Sequence, residues 1–248
     1  MATRTWGTTP DGRYEFVSLT NETLPAAMNV MRRAFFGEET VSVACELPKN
    51  PEAAAELEDM IIHAAEDGVS IIAVETATGE VAAAAINIFE LAPQLQESDY
   101  FIDYQAKCKT PNAKYLLQFM IDMGNELDIF KHYQVDVLLE IMFLATLKEH
   151  RGHGLAKALF QCSIELAKQL KDGNDVRTML SGVPKPLPLP KLVTALCSSF
   201  ITQKIAQQLG FENLKMVDFH KWTFNGRSFA EVIGPETPAT SIDCFVLK

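Results

Sequence analysis

Cysteine is scarce and scattered. Cys45, Cys108, Cys162, Cys197 and Cys244 form no CxxC pair. That argues against a disulfide framework and a zinc site, and it fits reduced thiols in a cytoplasmic protein. Each is expected to be a small buried apolar residue. The histidines include no HxxxH or HExxH pair, so no metal is expected. No apolar run reaches the length of a transmembrane helix, and Met1–Gly12 lacks the hydrophobic core of a secretory signal. Basic residues are outnumbered: 22 Lys and Arg stand against 32 Asp and Glu, a net charge of −10. Nucleic acid is a poor partner for such a chain, because phosphate backbones need clustered cations. Steering of cationic ligands such as amines is mildly favoured. Repeats, low-complexity tracts and flexible linkers are missing. The chain therefore reads as one domain over residues 1–248. Its oligomeric state is left open, a monomer included.

What is present is a mixed α/β pattern. Apolar residues make up 48% of the chain, enough for a buried core. Glu15–Leu19 reads as a first strand, and Thr20 as the cap of a helix reaching Phe36. Asn50–Pro51 opens a second helix that Gly68 ends. Val69–Glu75 and Val81–Glu90 read as a hairpin around Gly79. Leu116, Leu117, Met120, Met123 and Leu127 place a third helix over Ala113–Phe130. Val135–Leu147 is a long apolar run suited to a buried central strand. An amphipathic helix follows, with Leu155, Leu159, Cys162, Leu166 and Leu170 on one stripe. Lys171–Lys191 carries Pro184, Pro186, Pro188 and Pro190, which exclude regular helix or central strand. Leu192–Cys197 reads as a strand and Phe200–Leu209 as a helix closed by Gly210. Leu214–Phe224 and Ser241–Leu247 read as final strands, with Asn225-Gly226 as the turn between them. Most sheet neighbours are expected to be antiparallel.

Chemistry concentrates where the central strand meets the amphipathic helix, at Arg151-Gly152-His153-Gly154-Leu155-Ala156. A helix start leaves backbone N–H groups without partners at the positive end of its dipole, and a pyrophosphate can be held there. Gly152 and Gly154 let the backbone approach the anion. Arg151 adds charge-assisted hydrogen bonds, and His153 faces solvent or the phosphates. A P-loop is excluded, since no GxxxxGK[ST] occurs. A dinucleotide fingerprint is excluded because Lys157 stands at its third glycine.

Arg-Gly-x-Gly-x-Ala after a long buried strand resembles the acetyl-CoA signature of the GNAT N-acetyltransferases. Gln208-Leu209-Gly210-Phe211 is a further habit of that family. Phe35-Phe36-Gly37-Glu38-Glu39 and Leu196-Cys197-Ser198-Ser199 resemble segments of the insect arylalkylamine N-acetyltransferases. Thr40-Val41 departs from the usual Pro-Leu, and Thr202 replaces a family Ser. The resemblance implies a GNAT fold, a mixed and mostly antiparallel sheet flanked by helices. It implies acetyl-CoA as cofactor and a small arylalkylamine as partner. Leu144, Ala145 and Thr146, where the central strand splays from its neighbour, would hold the pantetheine and thioester, and Arg151–Ala156 the pyrophosphate. Glu39 would be the general base, acting through water, with Glu38 the runner-up. Ser198 and Thr202 would orient the substrate or protonate the leaving thiolate, although both could equally serve helix capping. Phe35, Phe36 and Phe200 flank these positions and offer rings to an aromatic substrate. Polyamines or agmatine, longer acyl-CoAs, and a catalytically inert CoA-binding module remain the alternatives.

Overall fold

The structure is a computed structural model describing residues 4–96, 98–181 and 186–248. Pro184 and its immediate neighbours in the expected loop lie outside these residues. The strands are β1 (Thr5–Thr8), β2 (Tyr14–Ser18), β3 (Ile71–Glu75), β4 (Val81–Leu91), β5 (Val137–Thr146), β6 (Leu192–Cys197), β7 (Glu212–Asp218), β8 (Thr223–Phe224), β9 (Arg227–Ser228) and β10 (Ala239–Val246). The inner strands are near-continuous apolar runs buried on both faces, β4 from Val81 to Ile88 without a break. One sheet has the order β1-β2-β3-β4-β5-β6-β10-β7, and β8 pairs with β9 separately. Within that sheet only β5 and β6 are parallel. The expected class, mixed and mostly antiparallel, is the one found.

Each face of the sheet buries its own apolar cluster. Ala84, Ile86 and Ile88 of β4 pack with helices α1 (Leu24–Val30), α4 (Pro51–Ala65) and α6 (Pro111–Gly124). Ala83 and Ala85 pack on the opposite side against α8 (Leu155–Lys171). The α8 stripe Leu155, Leu159, Cys162, Leu166 and Leu170 is buried as its spacing predicts. Fully burying one such leucine stabilises the fold by about 1.5–3 kcal/mol. All five cysteines are buried and free, and burial pushes the Cys162 and Cys244 thiols up to about 11. Among the described residues no helix is long and apolar enough to cross a membrane.

Several expected boundaries move. Thr20 does not cap the first helix: it sits in a turn that receives the Thr23 N–H, and α1 begins at Leu24 with Pro25 in its first turn. A π-turn over Met31–Phe35 and one α-turn, α2 (Phe36–Glu38), continue that helix. Helix α3 (Thr40–Ala44) then follows. Asn50 caps α4 as expected, its Oδ1 accepting from the Ala53 N–H at 3.2 Å, a device worth about 1 kcal/mol. Gly68 ends that region at φ +72°, where a Cβ would lie 2.9 Å from the Thr178 backbone. The helix expected over Ala113–Phe130 is two: α6 stops at Gly124, and Asp128 accepts from the Lys131 N–H to cap α7 (Ile129–Tyr133). Leu127 continued the apolar spacing across that break. Helix α5 (Tyr100–Lys107) and strand β1 were not foreseen. Helix α9 (Phe200–Gln208) was. Asn225-Gly226 joins β8 to β9, not β7 to β10, because both residues adopt the positive φ of a tight hairpin turn. Helix α10 (Phe229–Ile233) fills the space between.

Candidate active site

Strand β5 keeps its ladder with β4 from Leu91–Val137 to Ala83–Thr146. With β6 it pairs only at Leu139–Val193 and Glu140–Thr194. Beyond that point the two parallel strands diverge, as expected for Leu144–Thr146. A cavity of about 530 Å³ opens in the fork. Leu144, Ala145 and Thr146 line one side, and Arg151, Gly152, Gly154, Leu155 and Ala156 line its end. Both glycines have positive φ, +84° and +75°, and the space beyond each Cα is open. The buried Thr146 Oγ1 has no hydrogen-bond partner among the described residues. An open backbone cradle at the start of α8 and an orphan hydroxyl in the fork fit a ligand with phosphates at one end and amides along its length. His153 is exposed, one of the two places expected for it. Its ring does not line the cavity: it leans on Tyr14, centroids 5.5 Å apart, with Nε2 3.1 Å from Arg13.

Across the fork stands the acidic pair. Glu39 caps α3, accepting from the Val41 and Ser42 N–H groups at 3.0 and 2.8 Å. The Ser198 hydroxyl, at the end of β6, donates to the same carboxylate at 2.6 Å. Glu39 and Ser198, two of the three expected catalytic residues, therefore meet. Thr202 lines the cavity but its hydroxyl is committed to a capping box, donating to the Ser199 carbonyl at 2.9 Å. Ser199, not Ser198, is the cap of α9. Of the three phenylalanines, Phe35 lines the cavity, Phe36 is buried, and Phe200 is exposed outside it.

Two ion pairs tie the acidic segment to the glycine loop: Glu38–Arg151 at 2.7 Å and Arg33–Glu149 at 2.7 Å. Below that loop lies a residue the sequence reading passed over. His150 is 4% exposed and lines the cavity. Its Nδ1 shares a 2.9 Å hydrogen bond with the Tyr14 hydroxyl, and its Nε2 lies 3.4 Å from Glu80. Tyr14 is 136 residues away in sequence, so no local signal announces the pairing. Cys197 also lines the cavity. Burial, helped by Asp243, pushes its thiol well above the usual range.

No protein-family model matches the sequence, and no curated protein matches it. Solved structures do. Arylalkylamine N-acetyltransferase 2 of Aedes aegypti superposes with a TM-score of 0.76 at 20% identity, over 95% of this chain and 99% of that one. The fold is that of the GNAT N-acetyltransferases. The putative arylalkylamine N-acetyltransferase 7 of the same mosquito gives 0.73 at 15% identity, over 100% and 97% of the two chains. A Drosophila melanogaster polyamine N-acetyltransferase, described as forming N-acetylagmatine, gives 0.68 at 17% identity, over 94% and 99%. The likeness of fold covers nearly the whole chain.

Proposed function

We propose that this protein transfers the acetyl group of acetyl-CoA to the primary amine of a small arylalkylamine. The observation that carries the reading is the Ser198–Glu39 hydrogen bond across the mouth of a fork that ends in a phosphate cradle. The mosquito proteins named for arylalkylamines support the amine class, and Phe35 supplies the cavity with an aromatic edge.

Acetyl-CoA, when bound, brings an acyl carbon activated as a thioester. The backbone of Gly152–Ala156 and the Arg151 side chain hold its pyrophosphate. The unpaired edge of Leu144–Thr146 holds its amide-bearing arm and offers a backbone N–H to the charge developing on the acyl oxygen. An alkylammonium has a pKa near 10.4, so a base raises the reactive fraction. Through a water, Glu39 takes one ammonium proton. The freed nitrogen lone pair forms the C–N bond as the C–S bond breaks. The departing thiolate takes a proton from Ser198, which recovers one from Glu39. The new amide nitrogen loses its surplus proton to water. The sum is ammonium plus thioester giving amide, free thiol and one proton. Thr202 positions Ser198 by holding the start of α9.

Thiol release with tyramine, agmatine and spermidine at fixed acetyl-CoA tests this. Release with tyramine at the highest efficiency is expected. A higher efficiency for either aliphatic amine overturns the aryl class. No release with any amine leaves an inert CoA-binding module.

A further inference from the structure

Between the end of β5 and the start of α8, residues 148–154 form the glycine loop and its approach, and only one of them, His150, is buried. The cradle itself is backbone, and Gly152 and Gly154, both at positive φ, leave that backbone little intrinsic stiffness. Ordering a loop at the moment of binding subtracts from affinity, so a cradle shaped in advance holds an anion better. Most of the side-chain ties that could shape it lie at the surface. Glu149 reaches Arg33 and Arg151 reaches Glu38, with all four side chains 41–49% exposed. His153 meets Arg13 Nη1 at 3.1 Å, also in an exposed position. Exposed pairs of this kind contribute little.

His150 is the exception. Its Nδ1 shares a 2.9 Å hydrogen bond with the Tyr14 hydroxyl, and the two rings meet edge to face with centroids 5.7 Å apart. Tyr14 is fully buried in β2, so one end of this tie is fixed in the sheet. The Tyr14 ring also leans on His153 and carries the Arg13 guanidinium at 5.2 Å. One side chain of β2 thus touches the loop on both sides of Gly152. The other ring nitrogen of His150, Nε2, is buried without a hydrogen-bond partner among the described residues, with Glu80 Oε2 standing 3.4 Å away. Among the described residues, the bond to Tyr14 is therefore the hydrogen bond that orients this ring. Without it both buried nitrogens are unmatched, and the ring is free to turn.

We propose that Tyr14 and His150 are positioning residues for the cofactor: their hydrogen bond locks the turn before Arg151 and so holds the glycine cradle in the shape that takes a pyrophosphate. The inference rests on the acetyl-CoA reading of the cavity. Tyr14 lies outside that cavity and His150 stands beside Arg151, so the contribution falls on cofactor affinity and not on the chemical step. Isothermal titration with CoA and thiol release with tyramine test this on Tyr14→Phe, His150→Ala, the two combined, and His150→Asn. Tyr14→Phe should weaken CoA binding about tenfold and raise KM for acetyl-CoA alike. Its kcat and its KM for tyramine should stay within about twofold of wild type. In the His150→Ala background Tyr14→Phe should cost no more affinity, since the bond is already gone. His150→Asn keeps an acceptor at the place of Nδ1 and should bind CoA more tightly than His150→Ala. A variant that is less stable but still folded keeps its affinity, so these readouts separate positioning from a general loss of stability. Unchanged CoA affinity in Tyr14→Phe, losses that add in the double variant, or equal affinities in the two His150 variants overturns the assignment. So does a fall in kcat at saturating acetyl-CoA with affinity intact, which would put His150 in the chemistry. Should Tyr14→Phe fail to fold, the comparison of the two His150 variants decides. Coupled losses of CoA affinity in a protein that releases no thiol with any amine overturn the transfer reading and leave this one standing.

Discussion

Arg151 holds Glu38 at 2.7 Å, so the side chain offered to a pyrophosphate is the one that anchors the turn before Glu39. The two demands compete for one guanidinium. Both partners are well exposed, so the pair itself is worth about 0.2–1 kcal/mol. Glu38→Gln should therefore tighten CoA binding, by no more than about fivefold. Isothermal titration with CoA at low salt measures this. Weaker binding would mean that Glu38 orders the loop instead of competing for it.

Gly154 opens α8 at φ +75° with open space beyond it. Gly154→Val should weaken acetyl-CoA binding at least tenfold, because a branched side chain would stand in the phosphate cradle. It should also lower the melting temperature, since a β-branched residue at positive φ is strained by roughly 1–2 kcal/mol. Gly154→Ala separates the two effects: most of the strain with less of the obstruction. Equal CoA affinity in wild type and Gly154→Val would remove Arg151–Ala156 from the cofactor site.

Glu39 has two duties, as cap of α3 and as acceptor from Ser198. Glu39→Gln keeps an acceptor for the cap, so its stability loss should stay below about 1 kcal/mol. Turnover should fall by about 10²–10⁴ and recover with rising pH as free amine increases. Melting curves beside pH–rate profiles distinguish the duties. Full activity at neutral pH would move the base elsewhere.

Glu126 ties the end of α6 to β7 and its following turn. Lys215 reaches it at 2.7 Å and Lys221 joins them. The bond from Lys215, then that from Lys221, holds its carboxyl below the usual value of 4.5. A carboxylate whose folded pKa is depressed stabilises the fold above its unfolded pKa and loses that contribution as pH falls through the folded one. Urea midpoints at pH 7 and at pH 3 should therefore differ less in Glu126→Gln than in the wild type. An equal difference would show that the pair contributes nothing.

The sequence made the glycine loop, the α8 stripe and β6 legible because each is local: a turn chemistry, a helical period, an apolar run. Glu39 and Ser198 were found through resemblance, and only the fold shows that they touch across 159 residues. What stayed hidden depends on distant partners. Nothing near His150 in the sequence marks it, because its partner Tyr14 lies 136 residues away on β2. Met142 reads as an ordinary apolar residue, since the bulge it forms in β5 is visible only against the register of β4. Thr20 and Thr23 offer the same hydroxyl, and the choice between them is settled by where α1 packs. Helix α5 is short, and its few apolar residues set no clear period.

The fork between β5 and β6 also bears on how the chain holds together. Two residue pairs join the half of the sheet that runs from β1 to β5 to the half made of β6, β10 and β7. Backbone groups on both lips of the fork lack a strand partner. In thermodynamic terms the sheet carries a seam, and a molecule lying in it acts as a removable strand that splices the halves. Cooperativity of unfolding then becomes a property of the loaded protein. The ligand-free chain is expected to exchange its C-terminal amides as a unit of lower stability.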